Sequence, residues 1–458
     1  MQFQTLFRAA VERPVRAALL GAGEFGISLI AQSRRMQGLA IEAVFDIDPA
    51  RVSAVLSNMG VPHRRCSSAR QARESQEQGM LALCERLDDL LALPLEIVVE
   101  ATGHPEAGAA HGLAALAAGI GVAMVSKEAE CVVGPILARR AAAAGLAWTL
   151  VDGDQPALLI GLVSWARTLG LPIVAAGKSS EYDYVFDPSD GCTRWLDRTV
   201  HAPDLARHWA LGGDAAATVA SRAGLLQALP LRTVPDSCEM TLVANATGLL
   251  PDRPDFHAPL AHTAELPELY GPRTAGGLLE QDGALDVFNC LRRPDEASFA
   301  GGVFIVVGLA DLRTGELFAS KGIPVSRDRH RALIYNPSHL LGVEAPISIV
   351  AAARLGHSIL DEAYRPRLDL AARAARNLSA GDVLGIEGDR HAVPGLEPLL
   401  LPTVQADPAS PLPYYMAVGR MLTRPVAAGA TLSFGDVEVP PASVLWTLRA
   451  EQDAKFCA

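Results

Sequence analysis

No run of lysines and arginines occurs in this chain, and its formal net charge is -11. A nucleic acid or an anionic membrane as main partner needs a concentrated basic surface, so neither is expected. A small anionic substrate stays open, because a few local cations are enough to hold one. Stretches of about eighteen uninterrupted apolar residues are missing too, which argues against a membrane-spanning helix. The N-terminus, MQFQTLFRAAVERPVRAALL, lacks the basic start, apolar stretch and cleavage site of a secretory leader, and reads as an amphipathic helix running into a strand. The seven cysteines (Cys66, Cys84, Cys131, Cys192, Cys238, Cys290 and Cys457) are scattered and never form a CxxC pair. Structural zinc and a disulfide framework are therefore unsupported, no metal is expected, and a reducing, cytoplasmic setting is the expectation. No Ser-His-Asp signature, Walker loop or HExxH pair is present, which sets aside hydrolase, NTPase and metalloprotease readings.

What is there is ordinary for a large globular protein. Of 458 residues, 50% are hydrophobic and 20% charged, a length that suggests two to four domains rather than one core. Aromatics are sparse and alanine is abundant, as in AAHGLAALAAG and ARRAAAAG; alanine is the best helix former, so these runs predict helices packed closely on sheets. Over 1–152, VRAALL, IEAVFDID, LEIVVEAT, GVAMVSK and AWTLVDG read as strands covered on both faces, separated by helical stretches. That alternation predicts an α/β, doubly wound parallel sheet. Over 153–369 the helical PALLIGLVSWARTLG and strand-like PIVAAGK, MTLVANATG and GGVFIVVG predict an α+β domain for substrate binding and dimerisation, with ISIVAAARLGHSIL as a helix returning to the first domain. From 370 to 458, ARNLSAGDVLG and TRPVAAGATLSFGDVEV predict a small β-rich domain with tight turns, closed by a helix in SVLWTLRAEQDA.

Gly21, Gly23 and Gly26 in LLGAGEFGISLI form a G-x-G-x-x-G directly after a strand and at the start of a helix. The first glycine permits the tight turn, the second the approach of a pyrophosphate and the third close helix packing, while the helix N-terminus offers free N–H groups. Glu24 and Phe25 fall within the same loop. Asp46, at the end of the second strand, suits free ribose hydroxyls and repels a 2′-phosphate, so NAD is expected in preference to NADP. Thr102 and Gly103, ending the strand VVEATG, stand where such a sheet meets the nicotinamide ribose; Thr102 is equally suited to cap the following helix, with Glu106 nearby.

These residues, with VVEATGHPEAG, VAMVSKEAE, GDQP (153–156), AGKSS (176–180), VANATGLLPD (243–252) and NPSHLLGVEAP (336–346), resemble the homoserine-dehydrogenase-like oxidoreductases. The nearer likeness is to their branch with a C-terminal SAF domain, which includes a second type of 1-deoxy-D-xylulose 5-phosphate reductoisomerase. The resemblance implies a Rossmann domain, a central catalytic and dimerising domain and a SAF module, in a homodimer or higher homo-oligomer. It implies that Lys127 stands at the position of a lysine beside nicotinamide and substrate, that Glu128 matches an acidic residue kept in the reductoisomerase-like branch, and that Lys178 matches a lysine of that branch's second domain. His339 falls in its Pro-x-His-Leu signature. Asn336 and Ser338 depart from it, standing where arginine and tyrosine are favoured.

Hydride exchange between an alcohol and a nicotinamide makes or consumes an alkoxide-like oxygen, which needs a proton donor, acceptor or neutralising charge. Lys127, at a strand's carboxyl end, suits any of these, especially if burial lowers its pKa. Lys178 is a second candidate, able to hold a substrate carboxylate or phosphate. Asp154 is either a helix cap or an orienting carboxylate, and His339 an acid/base or a donor to substrate. Glu128, Asn245, Thr247 and Asn336 are candidates for the substrate pocket, although the ANATG pair equally suits a tight turn. The expected function is NAD(P)-dependent hydride transfer to or from a small hydroxylated carbonyl or alcohol. The alternatives are phosphosugar isomeroreduction and a non-catalytic protein that senses dinucleotide or binds carbohydrate.

Overall fold

The computed structural model describes residues 2–387 and 392–457. Seven parallel strands build the first sheet: β1 (Val15–Leu20), β2 (Leu39–Phe45), β3 (His63–Cys66), β4 (Leu81–Cys84), β5 (Ile97–Glu100), β6 (Gly121–Met124) and β7 (Trp148–Leu150), in the order β3-β4-β2-β1-β5-β6-β7. The chain runs outward from β1 in one direction and from β5 in the other. The crevice at their carboxyl ends is thus the switch point of a doubly wound Rossmann-like sheet. Strands β4, β5 and β6 are buried throughout, as helices on both faces require. β3 and β4 escape the sequence pattern for physical reasons. HRRC is a polar edge strand, and LALC is only four residues long.

The second sheet is mixed. Its fifteen-residue strand β8 (Ile173–Asp187) is followed by β9 (Cys192–Trp195), β10 (Arg198–His201), β11 (Leu250–Pro251), β12 (Leu260–Ala261), β13 (Ala284–Arg292), β14 (Val303–Gly308) and β15 (Arg331–Asn336). β8 pairs parallel with β13 and antiparallel with β9 and β14, and β15 closes the edge beyond β14. One expectation is overturned here. MTLVANATG is not a strand but the end of the helix Val234–Thr247, capped by the Thr233 hydroxyl and stopped by a left-handed Gly248. Its residues are buried on every side, so no polar face marks the helical period, and a uniformly apolar run is indistinguishable from a buried strand.

Asn245 works as a clamp at the end of this helix. Its amide accepts from the main-chain N–H of Arg367 (2.8 Å) and Leu368 (2.9 Å) and donates to the Leu368 carbonyl (3.1 Å). Leu368 opens the third sheet, an antiparallel pair of β16 (Leu368–Ala374) and β17 (Leu396–Pro402). Around it the chain makes isolated bridges such as Ala371 to Pro413 and Leu378 to Val426. The helix Pro346–Leu355 returns to the first domain and buries Ile349 and Val350 in the same core as Ala17 and Leu19.

The terminal helix Val444–Phe456 also packs back on the first domain. Pro135 interrupts the helix Lys127–Ala143, where a proline ring breaks the local hydrogen-bond ladder. The Gln452 side chain fills the gap, accepting from the Ile136 N–H (3.2 Å) and donating to the Val132 carbonyl (2.8 Å). Glu106 receives Ser443 Oγ (2.5 Å) and the Val444 N–H (2.7 Å), while buried Arg449 grips Asp369 of β16 through two bonds of 2.7 and 2.8 Å. Among the described residues no helix is long and apolar enough to cross a membrane.

Candidate active site

The switch-point crevice has the shape of a dinucleotide cradle. Gly21 has φ of +90°, and a Cβ there would lie 2.8 Å from the Ala101 backbone, so turn and strand end meet with no room for a side chain. A Cβ on Gly26 would lie 2.6 Å from the Gly21 carbonyl oxygen, whereas one on Gly23 would meet nothing within 4 Å. Open space therefore faces the second glycine, at the N-terminus of the helix Glu24–Ser33, where a pyrophosphate would be received. Glu24 and Phe25 are the first residues of that helix, and the Phe25 carbonyl accepts from Ser28 Oγ (2.8 Å).

Asp46 is engaged from three directions. Its carboxylate accepts from the N–H of Ala22 and of Asp48, each at 2.8 Å, and pairs with Arg51 at 3.2 Å. Arg51 lies six residues past the strand end, in the helix Pro49–Asn58, and carried no signal in the sequence. Thr102 does not cap the next helix; that role falls to His104, whose Nδ1 accepts from the Ala107 N–H (3.2 Å). The Thr102 hydroxyl instead donates to fully buried Glu100 (2.6 Å), and the Gly103 N–H donates to Ser126 Oγ (2.8 Å).

Beside the cradle lies a buried ionic cluster. Lys127 begins the helix that follows β6, and Lys178 lies on β8. Both ammonium groups bond the same carboxylate, Glu239, one on each oxygen. Lys178 also pairs with Asp236 at 2.8 Å, and Asp236 accepts from Ser180 Oγ at 2.7 Å. Asp236 and Glu239 lie one helical turn apart on Val234–Thr247, so both reach the same neighbours. Sequence reasoning missed them. The available signal was an Asp-x-x-Glu spacing inside an apolar segment that begins with a Thr-x-Pro cap, and the strand-like reading of the next residues concealed it.

The charges set the protonation states. Burial works against the Lys127 ammonium, but Glu239, Asp154 and Glu128 outweigh it and hold its pKa well above the ordinary lysine value. The expectation that burial would lower it is thus reversed by the carboxylates around it. Lys178, fully buried, is likewise held protonated by Asp236 and Glu239 against the cost of burial. Burial alone would raise Glu239, yet the two lysines bring it down to about 2. Asp154 is raised, burial outweighing the pull of Lys127.

Asp154 accepts from the Gln155 N–H (3.0 Å) at the start of the helix Gln155–Thr168. Gln155 itself is 1% exposed, and its side-chain nitrogen finds no hydrogen-bond partner among the described residues. A buried donor left unpaired marks a place where a ligand oxygen would be welcome. His339 lies on the segment between β15 and the helix Pro346–Leu355, close enough to Asp154 to influence its charge, with Nδ1 3.0 Å from the Gly301 carbonyl. That segment is laid over the dinucleotide helix, where the Gly342 N–H donates to Ser28 Oγ (3.1 Å). A Cβ at Gly342 would lie 2.4 Å from the Leu29 nitrogen. Glu128 is buried next to Lys127. Asn336 is half-buried at the end of β15, its side chain 3.5 Å from the Ser338 N–H. Thr247 bonds the Val243 carbonyl (2.7 Å) and lines a separate apolar groove of about 1090 Å³ between the N-terminal helices and Gln155–Thr168. Lys127, Lys178, Asp154 and His339 are thus gathered in one region, and Asn245 and Thr247 are engaged at the end of the helix carrying Glu239.

Residues 21–150 match the family model described as homoserine dehydrogenase, NAD binding domain, and residues 232–345 match that described as oxidoreductase DRL, catalytic domain. The chain joins an NAD-binding domain to an oxidoreductase catalytic domain. Lys127 falls in the first match, and Asp236, Glu239 and His339 fall in the second. No curated protein matches the chain. Solved structures similar to part of it include a putative oxidoreductase from Magnetospirillum magnetotacticum, at 22% identity over 38% of this chain and 50% of that one, TM-score 0.27. An oxidoreductase from Agrobacterium radiobacter in complex with NAD+, L-tartaric acid and magnesium shows 17% identity over 38% of this chain and 45% of that one, TM-score 0.27. DOX-P reductoisomerase in complex with magnesium shows 18% identity over 37% and 46%, TM-score 0.26. The matched region spans about half the length of these structures.

The shared carboxylate makes a stability test. Glu239→Gln leaves two buried lysines short of charge and is expected to cost about 3–5 kcal/mol at neutral pH. Because folding lowers the Glu239 pKa from 4.5 to about 2, its contribution is present above pH 4.5 and lost as pH falls through about 2. Denaturant titrations at pH 7 and 3 should therefore show a smaller gap between wild type and variant at the lower pH. An equal gap would remove Glu239 from the acid response.

Proposed function

We propose that the chain is an NAD-dependent oxidoreductase that transfers hydride between nicotinamide and a small hydroxylated carbonyl or alcohol. The observation that carries this is the Lys127 ammonium, held charged by Glu239 at the carboxyl edge of the parallel sheet, beside a crevice whose open position faces Gly23. NAD, when bound, supplies the hydride acceptor or donor. Gly21, Gly23, Gly26 and the first turn with Glu24 and Phe25 would receive its pyrophosphate, Asp46 its adenosine ribose, and Thr102 and Gly103 the nicotinamide end.

The protein's own groups divide the proton work. Lys127 places positive charge where a substrate oxygen gains electron density and donates the proton during carbonyl reduction. The same amine takes the proton back during alcohol oxidation, and Asp154, whose buried carboxyl takes up a proton more readily than usual, passes protons between Lys127 and water. His339 and Gln155 hold the substrate oxygens, Glu128 and Asn336 complete the pocket, and Asn245 and Thr247 support the helix that presents Glu239. Lys178 positions Glu239 from behind. The third sheet, read as a SAF-like module, braces the helix behind Lys127 and takes no part in hydride chemistry.

A screen of polyols, hydroxy acids and their phosphates with both nicotinamide cofactors tests the reading, and Lys127→Ala localises it. Turnover is expected to fall roughly a hundredfold or more with cofactor affinity within a few-fold. With Lys127 held above its ordinary pKa, carbonyl reduction should lose nothing to its deprotonation between pH 7 and 10. Near-normal turnover in folded K127A, or a K127A-sensitive loss near pH 8, would reassign the lysine.

Asp46 favours free ribose hydroxyls, so tighter binding of NADH than of NADPH is expected. Arg51 is close enough to serve a 2′-phosphate once Asp46 is gone. Asp46→Ser should therefore move the NADPH/NADH affinity ratio at least about tenfold toward NADPH. Fluorescence titration of both cofactors checks this, and tighter NADPH binding by the wild type would overturn the preference.

The substrate is read as unphosphorylated. Lys178 is fully buried and committed to two carboxylates, and Asn336 supplies no charge, so the pocket lacks the free cations that a phosphate dianion demands. Turnover of each substrate should exceed that of its phosphorylated form. Efficient conversion of 1-deoxy-D-xylulose 5-phosphate, with no better unphosphorylated substrate, would favour isomeroreduction.

A further inference from the structure

We propose that a second cavity, between the far half of the helix Lys127–Ala143 and segment 361–367, binds a small multiply charged anion of the phosphate or polycarboxylate class. The cavity holds about 740 Å³ and is lined by Arg139, Arg365 and Arg367, with Pro135, Ala138 and Phe456 among its apolar neighbours. Arg139 stands about three turns beyond Lys127, roughly 18 Å along the helix. An anion there does not meet the hydride site.

In this acidic chain arginines are usually paired. Arg140 sits against Glu451, Arg292 against Asp183 and Arg449 against Asp369. Among the described residues, Arg139, Arg365, Arg367 and nearby Arg167 have no carboxylate within ion-pairing distance. Asp361 and Glu362 line the same cavity without closing a pair, and Asp361 offsets only part of the charge. Arg367 records the result. Burial, then the like charges of Arg365 and Arg167, hold its guanidinium below the ordinary arginine value.

The geometry is also partly prepared. Arg367 spends one N–H on the Asn245 carbonyl, which anchors the group while its other donors stay unpartnered among the described residues. Planar guanidinium forks match the oxygens of phosphate and carboxylate, and several together offer more bonds than a single lysine. An anion bound here relieves the mutual repulsion and joins the helix that begins with Lys127 to the segment leading into the third sheet. Both the charge and the cavity are independent of the proposed hydride site.

Calorimetry on the full chain, with NADH saturating so that the dinucleotide cradle is filled, tests the proposal. Pyrophosphate and citrate are the probes, and sodium chloride at matched ionic strength is the control. At least one probe is expected to bind and to raise the thermal midpoint. Arg139→Ser with Arg365→Ser should weaken that binding at least tenfold while leaving NADH affinity unchanged and the probe-free midpoint no lower, since the variant also loses the repulsion. Both side chains are exposed, so the double variant should fold, and Arg367 is left in place to keep its hold on Asn245. Preference for pyrophosphate or for citrate identifies the ligand class. Failure of both probes to bind, binding unaltered in the variant, or an equal effect of sodium chloride would overturn the site.

Discussion

Glu239 is a single carboxylate shared by ammonium groups from two domains, and the candidate active site is organised around it. Lys127 comes from the parallel sheet, Lys178 from the mixed sheet, and Glu239 from the helix lying between them. Glu239 is fully buried and needs the two ammonium groups, because an isolated ion loses far more on leaving water than burial returns. The cluster therefore sets the protonation state of Lys127.

The helix Lys127–Ala143 transmits that arrangement outward. Its first residue stands in the candidate active site, Pro135 lies in its middle, and Gln452 from the terminal helix bonds the backbone on either side of the proline. A proline in a helix interior leaves backbone groups that need partners, and here the partner arrives from more than three hundred residues away. The terminal helix is held in turn by Glu106 at one end and by the Arg449–Asp369 pair along its length. Removal of the tail would leave the Val132 carbonyl and the Ile136 N–H of that helix without the partner they have in Gln452.

The cofactor crevice shows how much a local motif settles. G-x-G-x-x-G after a strand specifies a turn that admits no Cβ, an open approach and a tight helix contact, and Gly21, Gly23 and Gly26 meet those three conditions in turn. Asp46 illustrates the limit of the same logic. Its position at the end of β2 follows from strand periodicity, but its engagement by Ala22, Asp48 and Arg51 depends on how a loop and a helix close over it.

By itself the sequence determined the parallel sheet, the dinucleotide turn, the turn-rich third region and the helix that closes the chain, since each is written in short-range periodicity and turn chemistry. It also singled out Lys127, at a strand's carboxyl end, and Lys178, behind a strand-like run that the structure extends well past it, both supported by the family resemblance. It did not reveal β3, whose edge position allows polar residues, or the helix Val234–Thr247, whose burial on all sides erases the polar stripe that would mark its period. With that helix hidden, Asp236 and Glu239 had no visible partners. Only the tertiary structure decided that two lysines 51 positions apart would share one carboxylate, because the pairing depends on three elements meeting where water is excluded. The sign of the Lys127 shift follows from that meeting, for the neighbouring carboxylates outweigh the burial that alone would have lowered it.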